Sequence, residues 1–228
     1  MELIIIVIAI LAIILICLMM KANNKELKKI ALNPEINEIV KKFPENTEIC
    51  KEILKKLGNE TTKIEEDKNS EATLYIAIQD KISIGNTHQS FTRIQTMAHE
   101  CLHSIQDRKM LIFNFVYSNI YILYFIVICI LVIVGKLKDV MLYSNIFLIL
   151  SFIYYAIKVF LENDAMIKAQ YVAKDYMQNK EYITEKDTEK VFKEFEKLNK
   201  GLIKGTNCNI FVGIMIKLVI FNALALIF

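Results

Sequence analysis

Four long apolar runs constrain this chain more than any other feature of its sequence. They extend over Leu3 to Met20, Leu111 to Gly135, Met141 to Leu161 and Asn209 to Phe228. A helix rises about 1.5 Å per residue and the hydrocarbon core of a membrane is roughly 30 Å thick, so about 20 apolar residues can cross it. Hydrophobic residues make up 54% of the chain, which is high for a soluble protein. We therefore expect a mainly α-helical membrane protein with about four transmembrane helices.

Two of these runs allow a second interpretation. Lys217 lies inside the last run, and because a charge within the bilayer is unfavourable, this run could instead be a buried core helix. If the run does span, Lys217 is expected to reach the interface or to pair within the bundle. The first run is interpreted as a retained anchor and not as a signal peptide, because only Met1 and Glu2 precede it and no small-x-small cleavage pattern follows it.

The distribution of positive charge predicts an orientation. Basic residues follow the first run and precede the second and fourth runs, at Lys21, Lys25, Lys28, Lys29, Arg108, Lys109, Lys200 and Lys204. The short turn between the second and third runs carries Lys136 and Lys138. Because an excess of positive charge marks the cytoplasmic side, both long polar segments are predicted to be cytoplasmic and the N-terminus to lie outside. The predicted location is the cell membrane, with multiple passes.

The runs divide the chain into five predicted segments. These are an anchor over 1–20, a cytoplasmic α/β segment over 21–110, a transmembrane hairpin over 111–161, cytoplasmic helices over 162–208 and a transmembrane helix over 209–228. In the first polar segment, short helices are predicted over 33–43 and 44–57, and strands over 61–65, 72–78 and 81–84, with a turn joining the first two strands. In the second, helices are predicted over 162–177 and from Thr184 to about Asn199.

Composition also argues against some partners. The five cysteines are Cys17, Cys50, Cys101, Cys129 and Cys208, an odd number without paired spacing, so we expect no disulfide framework and a reducing compartment. The net charge is only +3, and lysines alternate with glutamates instead of forming a basic stripe. We therefore expect no nucleic-acid partner.

A short motif on an amphipathic segment predicts a metal site. The segment runs from about Gln89 to Gln106 and contains His99-Glu100-Cys101-Leu102-His103. Histidines four residues apart share one helix face and can converge on one ion. Catalytic zinc accepts such a pair plus a third protein ligand and lowers the pKa of a bound water to about 7, and a neighbouring glutamate can take the proton. This predicts a Zn²⁺ site with His99 and His103 as ligands and Glu100 as the catalytic base; the alternative is a solvated helix face.

The third metal ligand has to come from another part of the chain. The remaining histidine, His88, lies upstream in the turn before the helix. Glu162 is favoured, because it ends the third apolar run on the same predicted side of the membrane as the two histidines. Asp164 and Asp175 are the alternative ligands. Glu162 could also be only a charged residue that terminates a membrane helix.

Two stretches resemble a known family. The segment His99-Glu100-Cys101-Leu102-His103-Ser104-Ile105-Gln106 resembles the HExGHAxQ signature of the bacterial YugP-like membrane neutral zinc metallopeptidases, and Glu162-Asn163-Asp164-Ala165 resembles their downstream ExDA segment. The resemblance covers most of the chain in order. It implies that His99, His103 and Glu162 bind zinc and that Glu100 is the catalytic base. Leu102 departs from the family's glycine, and no Asp-His-Tyr-Asp-like stretch occurs around Asp80.

The motif and the apolar runs together predict a membrane-embedded zinc endopeptidase with a polypeptide substrate in or next to the bilayer. An alternative is a non-catalytic or decayed metallopeptidase-like protein with a structural metal. Cleavage within the membrane is disfavoured, because the motif helix carries Arg93, Gln95, Gln106 and Asp107.

Substrate handling is less constrained by the sequence. A peptide could add as a strand along 72–78 or 81–84, or these strands could only brace the motif helix. His88 and Tyr154 or Tyr155 are chemically able to stabilise an oxyanion; the alternative is that they are only a surface histidine and tyrosines at the membrane interface. Asp164 could orient a zinc-bound histidine as a hydrogen-bond acceptor.

Overall fold

The structure of the protein is a computed structural model, which describes residues 2–86, 91–178 and 180–228. Helices dominate it, with one small sheet. In chain order the elements are α1 (Glu2–Ala31), α2 (Pro34–Val40), α3 (Asn46–Lys56), β1 (Lys63–Glu66), β2 (Leu74–Ile76), β3 (Lys81–Ile84), α4 (Arg93–Ile105), α5 (Arg108–Ile133), α6 (Val140–Gln178) and α7 (Glu185–Ile227). The predicted mainly α-helical class with a small α/β segment is thereby confirmed.

Within the residues that the structure describes, four helices are long and apolar enough to cross a membrane. They are α1, α5, α6 and α7, as the apolar runs predict. Two predicted boundaries are wrong. The third run and the helix predicted over 162–177 form the single helix α6, and the helix predicted to end near Asn199 continues to Ile227 as α7. No proline occurs in either stretch, and a glycine inside a helix costs only about 1 kcal/mol, so Gly201 and Gly205 do not end α7.

The chain forms two compact units. The first comprises residues 1–24, 113–160 and 204–228. Its core contains Tyr121, Phe147 and Phe221, whereas its surface is unusually apolar: Ile149 is 63% exposed and Phe152 is 73% exposed. A soluble protein rarely exposes a large apolar surface. In this unit the Lys217 ammonium donates to the Gly213 carbonyl at 3.2 Å and lies 5.7 Å from the centre of the Tyr121 ring.

The second unit comprises residues 25–112 and 161–203. Its core joins α2, α3, β3 and α4 to residues of α6 and α7 between Ala165 and Leu198. Helix α4 buries its apolar face completely, with Ile94, Met97, Ala98 and Cys101 at 0% exposure. The polar side chains of α4 are left on the other face, which is the face of the histidine motif.

The three strands of the second unit form a mixed sheet in the order β1-β3-β2. Strand β3 pairs in parallel with β1 and antiparallel with β2. The first two strands, which a turn connects in sequence, are therefore not neighbours. Because β3 is central, residues 81–84 have no free edge to offer a peptide. Strand β2 lies at the edge and contacts α4.

Candidate metal centre

Helix α4 is fixed at its first residue by a buried arginine. The guanidinium of Arg93 donates to the carbonyls of Val40, Phe43 and Pro44 at 3.1, 2.7 and 2.7 Å and to Asn46 Oδ1 at 3.0 Å. These acceptors belong to the end of α2, the connection that follows it and the first residue of α3. Burial lowers the pKa of Arg93, which the negative charge of Glu45 partly opposes. The hydrogen bonds set the position of α4 against the preceding helices.

Three side chains converge on the polar face of α4. The Nε2 atoms of His99 and His103 are 3.0 Å apart. From α6, Glu162 Oε2 lies 3.6 Å from His99 Nε2 and 3.7 Å from His103 Nε2. One ligand atom from each of the three residues lies within 4.8 Å of the other two. Glu162 is thus brought to the histidines although it lies 59 positions after His103 in the sequence.

These separations fit one metal ion. Two ligand atoms bound at about 2.1 Å with tetrahedral angles lie about 3.4 Å apart. The observed separations of 3.0, 3.6 and 3.7 Å are spread around that value. Two imidazoles and a carboxylate are a donor set that zinc accepts in catalytic sites, where a fourth position stays open to water.

Glu100 lies beside this cluster and is held by the backbone of the edge strand. Its Oε2 accepts a hydrogen bond from the Tyr75 N–H at 2.7 Å, and its Oε1 lies 4.0 Å from His99 Nε2. The side chain is almost buried, and burial raises the pKa of Glu100 against the opposing effect of the two histidines. One carboxylate oxygen is therefore anchored, and the other faces the histidines.

His103 is also fixed on its far side. Its Nδ1 lies 2.8 Å from Gln106 Oε1, and the Gln106 amide nitrogen donates to the Leu161 carbonyl at 2.9 Å and to Asp164 Oδ2 at 3.1 Å. Burial disfavours the charged imidazole, but the hydrogen bond to Glu162 and the charges of Glu100 and Glu162 outweigh burial, so the pKa of His103 is raised. A metal ion would compete with that proton for the same nitrogen.

The other candidate residues have different surroundings. Asp175 forms an ion pair with Lys56. Asp164 forms an ion pair with Lys168 at 2.6 Å and accepts from Gln106; it was expected to orient a histidine directly, but Gln106 stands between Asp164 and His103. Tyr154 and Tyr155 belong to the first unit, where Tyr154 stacks on the ring of Tyr121 and Tyr155 meets the ring of Phe211 edge to face. His88 lies outside the described residues, so the oxyanion assignments stay predictions.

Two elements of the site were missed from the sequence. Gln106 carried a signal, because it follows His103 by three residues and matches the glutamine of the HExGHAxQ signature. No sequence signal pointed to the Tyr75 N–H, because every residue except proline has this backbone group. In comparisons with protein-family models, curated proteins and solved structures, nothing matched the chain.

Proposed function

We propose that this protein is a multi-pass membrane zinc metallopeptidase that hydrolyses peptide bonds at the cytoplasmic face. The convergence of His99, His103 and Glu162 beside the Glu100 carboxylate carries the proposal. The resemblance of residues 99–106 and 162–165 to the YugP-like zinc metallopeptidases supports it. A purely structural metal needs no carboxylate base next to its ligands.

Each residue has a defined role in the proposed reaction. When bound, zinc supplies a water acidified to a pKa of about 7 and polarises the peptide carbonyl. His99, His103 and Glu162 hold the ion. Glu100 accepts the proton of the attacking water and then delivers it to the leaving amide nitrogen as the C–N bond breaks, and its raised pKa suits a base that acts near neutral pH.

The membrane location is supported by composition and surface. Four of the described helices are long and apolar enough to cross a membrane. The apolar side chains exposed on the first unit would then be covered by lipid. A site on a chain so anchored meets polypeptides in or next to the bilayer. Strand β2 lies at the edge of the sheet and its Tyr75 N–H is held by Glu100, so such a substrate would add beside β2 as an extra strand through the remaining outward backbone groups.

The proposal is tested on the full-length protein in detergent micelles, by zinc analysis and by cleavage of an unfolded polypeptide such as casein. We expect stoichiometric zinc in the wild type and in Glu100→Gln, with cleavage by Glu100→Gln reduced at least about a hundredfold. Glu162→Ala should lose zinc and activity together, and a chelator should inactivate the wild type reversibly. Glu38→Gln, an exposed glutamate of the same unit, is the matched control and should behave as the wild type.

The outcomes separate the proposal from a structural metal site. Cleavage by Glu100→Gln at the wild-type rate would contradict the assigned base. A wild type that holds zinc firmly but cleaves no polypeptide would favour the non-catalytic alternative. A wild type without zinc would overturn the metal site itself.

A further inference from the structure

We infer that Gln106 is a positioning residue of the metal centre, which sets the tautomer of His103 and ties that histidine to the helix segment that bears Glu162. The inference rests on the proposed metal site. Gln106 directly follows α4, and its backbone N–H bonds to the His103 carbonyl at 3.3 Å. Its extended backbone turns the chain out of the helix at this point. The side chain contacts His103 on one side and α6 on the other.

The hydrogen bonds of Gln106 leave one orientation for its amide. An amide oxygen can only accept, and an amide nitrogen can only donate. Both partners on α6, the Leu161 carbonyl and the Asp164 carboxylate, are acceptors, so the nitrogen faces α6. The oxygen then faces His103 Nδ1, at 2.8 Å. The reverse orientation would place the amide oxygen against a carbonyl and a carboxylate.

This orientation decides which nitrogen of His103 carries the proton. Because Gln106 Oε1 only accepts, Nδ1 is the protonated nitrogen and Nε2 of the neutral ring keeps its lone pair. Nε2 is the atom that faces His99 and Glu162. A hydrogen-bond acceptor behind a metal-binding histidine also makes it a stronger ligand, and removal of such a partner typically weakens metal affinity 10–100-fold.

The contacts with α6 add a second effect. Leu161 and Asp164 flank Glu162 in the sequence, so the two bonds from Gln106 hold the Leu161 carbonyl and the Asp164 side chain on either side of the third ligand. Asp164 is itself held by Lys168. A single side chain thereby fixes the separation between the second and third ligands before any ion binds.

The test measures zinc affinity by chelator competition and the visible absorption of the cobalt-substituted full-length protein. We expect Gln106→Leu to weaken zinc binding about 10–100-fold and to change the cobalt spectrum. Gln95→Leu is the control, because Gln95 is a buried glutamine of α4 whose amide nitrogen bonds to Asn199 at 3.2 Å and not to a histidine of the site. It should keep wild-type affinity and the wild-type spectrum.

A rescue pair makes the test independent of overall stability. Gln106→Glu alone places two carboxylates together and should weaken zinc binding. Combined with Asp164→Asn, the new carboxylate still accepts from His103 Nδ1 and receives a hydrogen bond from the new amide, so affinity should recover in part, although the Leu161 carbonyl still lacks its donor. Wild-type affinity in Gln106→Leu, equal losses in Gln106→Leu and Gln95→Leu, or no recovery in the double variant would each overturn the inference while the metal site stands. Absence of zinc from the wild type would overturn both.

Discussion

At the scale of single residues, Arg93 shows how a buried charge positions the site. Its guanidinium satisfies three backbone carbonyls and one side-chain oxygen between α2 and α3. A buried acceptor that loses its donor costs about 1–3 kcal/mol. Arg93 therefore positions α4, and with it the face that carries the histidines, without contacting that face.

We expect Arg93→Met to lower the free energy of unfolding by about 3 kcal/mol or more, because several buried carbonyls lose their donor at once. Arg93→Lys should recover only part of the loss, since an ammonium cannot reproduce the planar fork of a guanidinium. Thermal unfolding in detergent measures the effect, with the exposed Lys193→Met as control. Unfolding midpoints equal to the wild type would show that the carbonyls find other donors.

At the scale of elements, the edge strand β2 is connected directly to the proposed base. The Tyr75 N–H is directed at Glu100, away from β3, so it takes no part in the sheet ladder. Proline, which lacks this hydrogen, is tolerated on edge strands at such positions. The contribution of this one backbone group can therefore be measured.

Tyr75→Pro should keep zinc and the sheet but lower peptidase activity about ten- to a hundredfold, because a displaced catalytic group is costly. Tyr75→Ala is the control: it removes the same phenol, which donates to Asp80 at 3.0 Å, but retains the N–H. Rate measurements at saturating substrate compare the two. If both variants lose activity equally, the phenol and not the backbone bond is responsible.

The elements also show what the sequence could predict. Three features could be predicted because their signals are local in the sequence: the apolar runs of about 20 residues, the four-residue spacing of the histidines and the helix cap at Thr184. The Thr184 Oγ1 accepts a hydrogen bond from the Asp187 N–H at 3.1 Å. The order β1-β3-β2 and the contact between β2 and α4 depend on long-range packing and leave no such signal. The predicted side of the membrane favours Glu162 as the third ligand, whereas the sequence offers Asp164 only as one possible acceptor for a histidine and does not single out Gln106, which makes that contact.

At the scale of the whole molecule, the orientation of the chain is the prediction most open to direct measurement. Lys55 and Lys138 are both exposed. In intact cells, a membrane-impermeant maleimide should label Lys138→Cys, and it should label Lys55→Cys only after permeabilisation, because positive charge retains the long polar segments in the cytoplasm. The parent chain with its five native cysteines is the control. The reverse labelling pattern would place the proposed site on the outer face.

The composition of the second unit has a consequence for biosynthesis. The unit is built from residues 25–112 and 161–203, and its core contains residues from both stretches. A ribosome adds about 5–20 residues per second, so the histidine pair emerges several seconds before Glu162. The nascent chain thus has no complete ligand set while its first two apolar runs are being inserted. The proposed proteolytic activity would therefore arise only after Glu162 has been synthesised, so the nascent chain could not cleave itself or the insertion machinery while its first two apolar runs are being inserted.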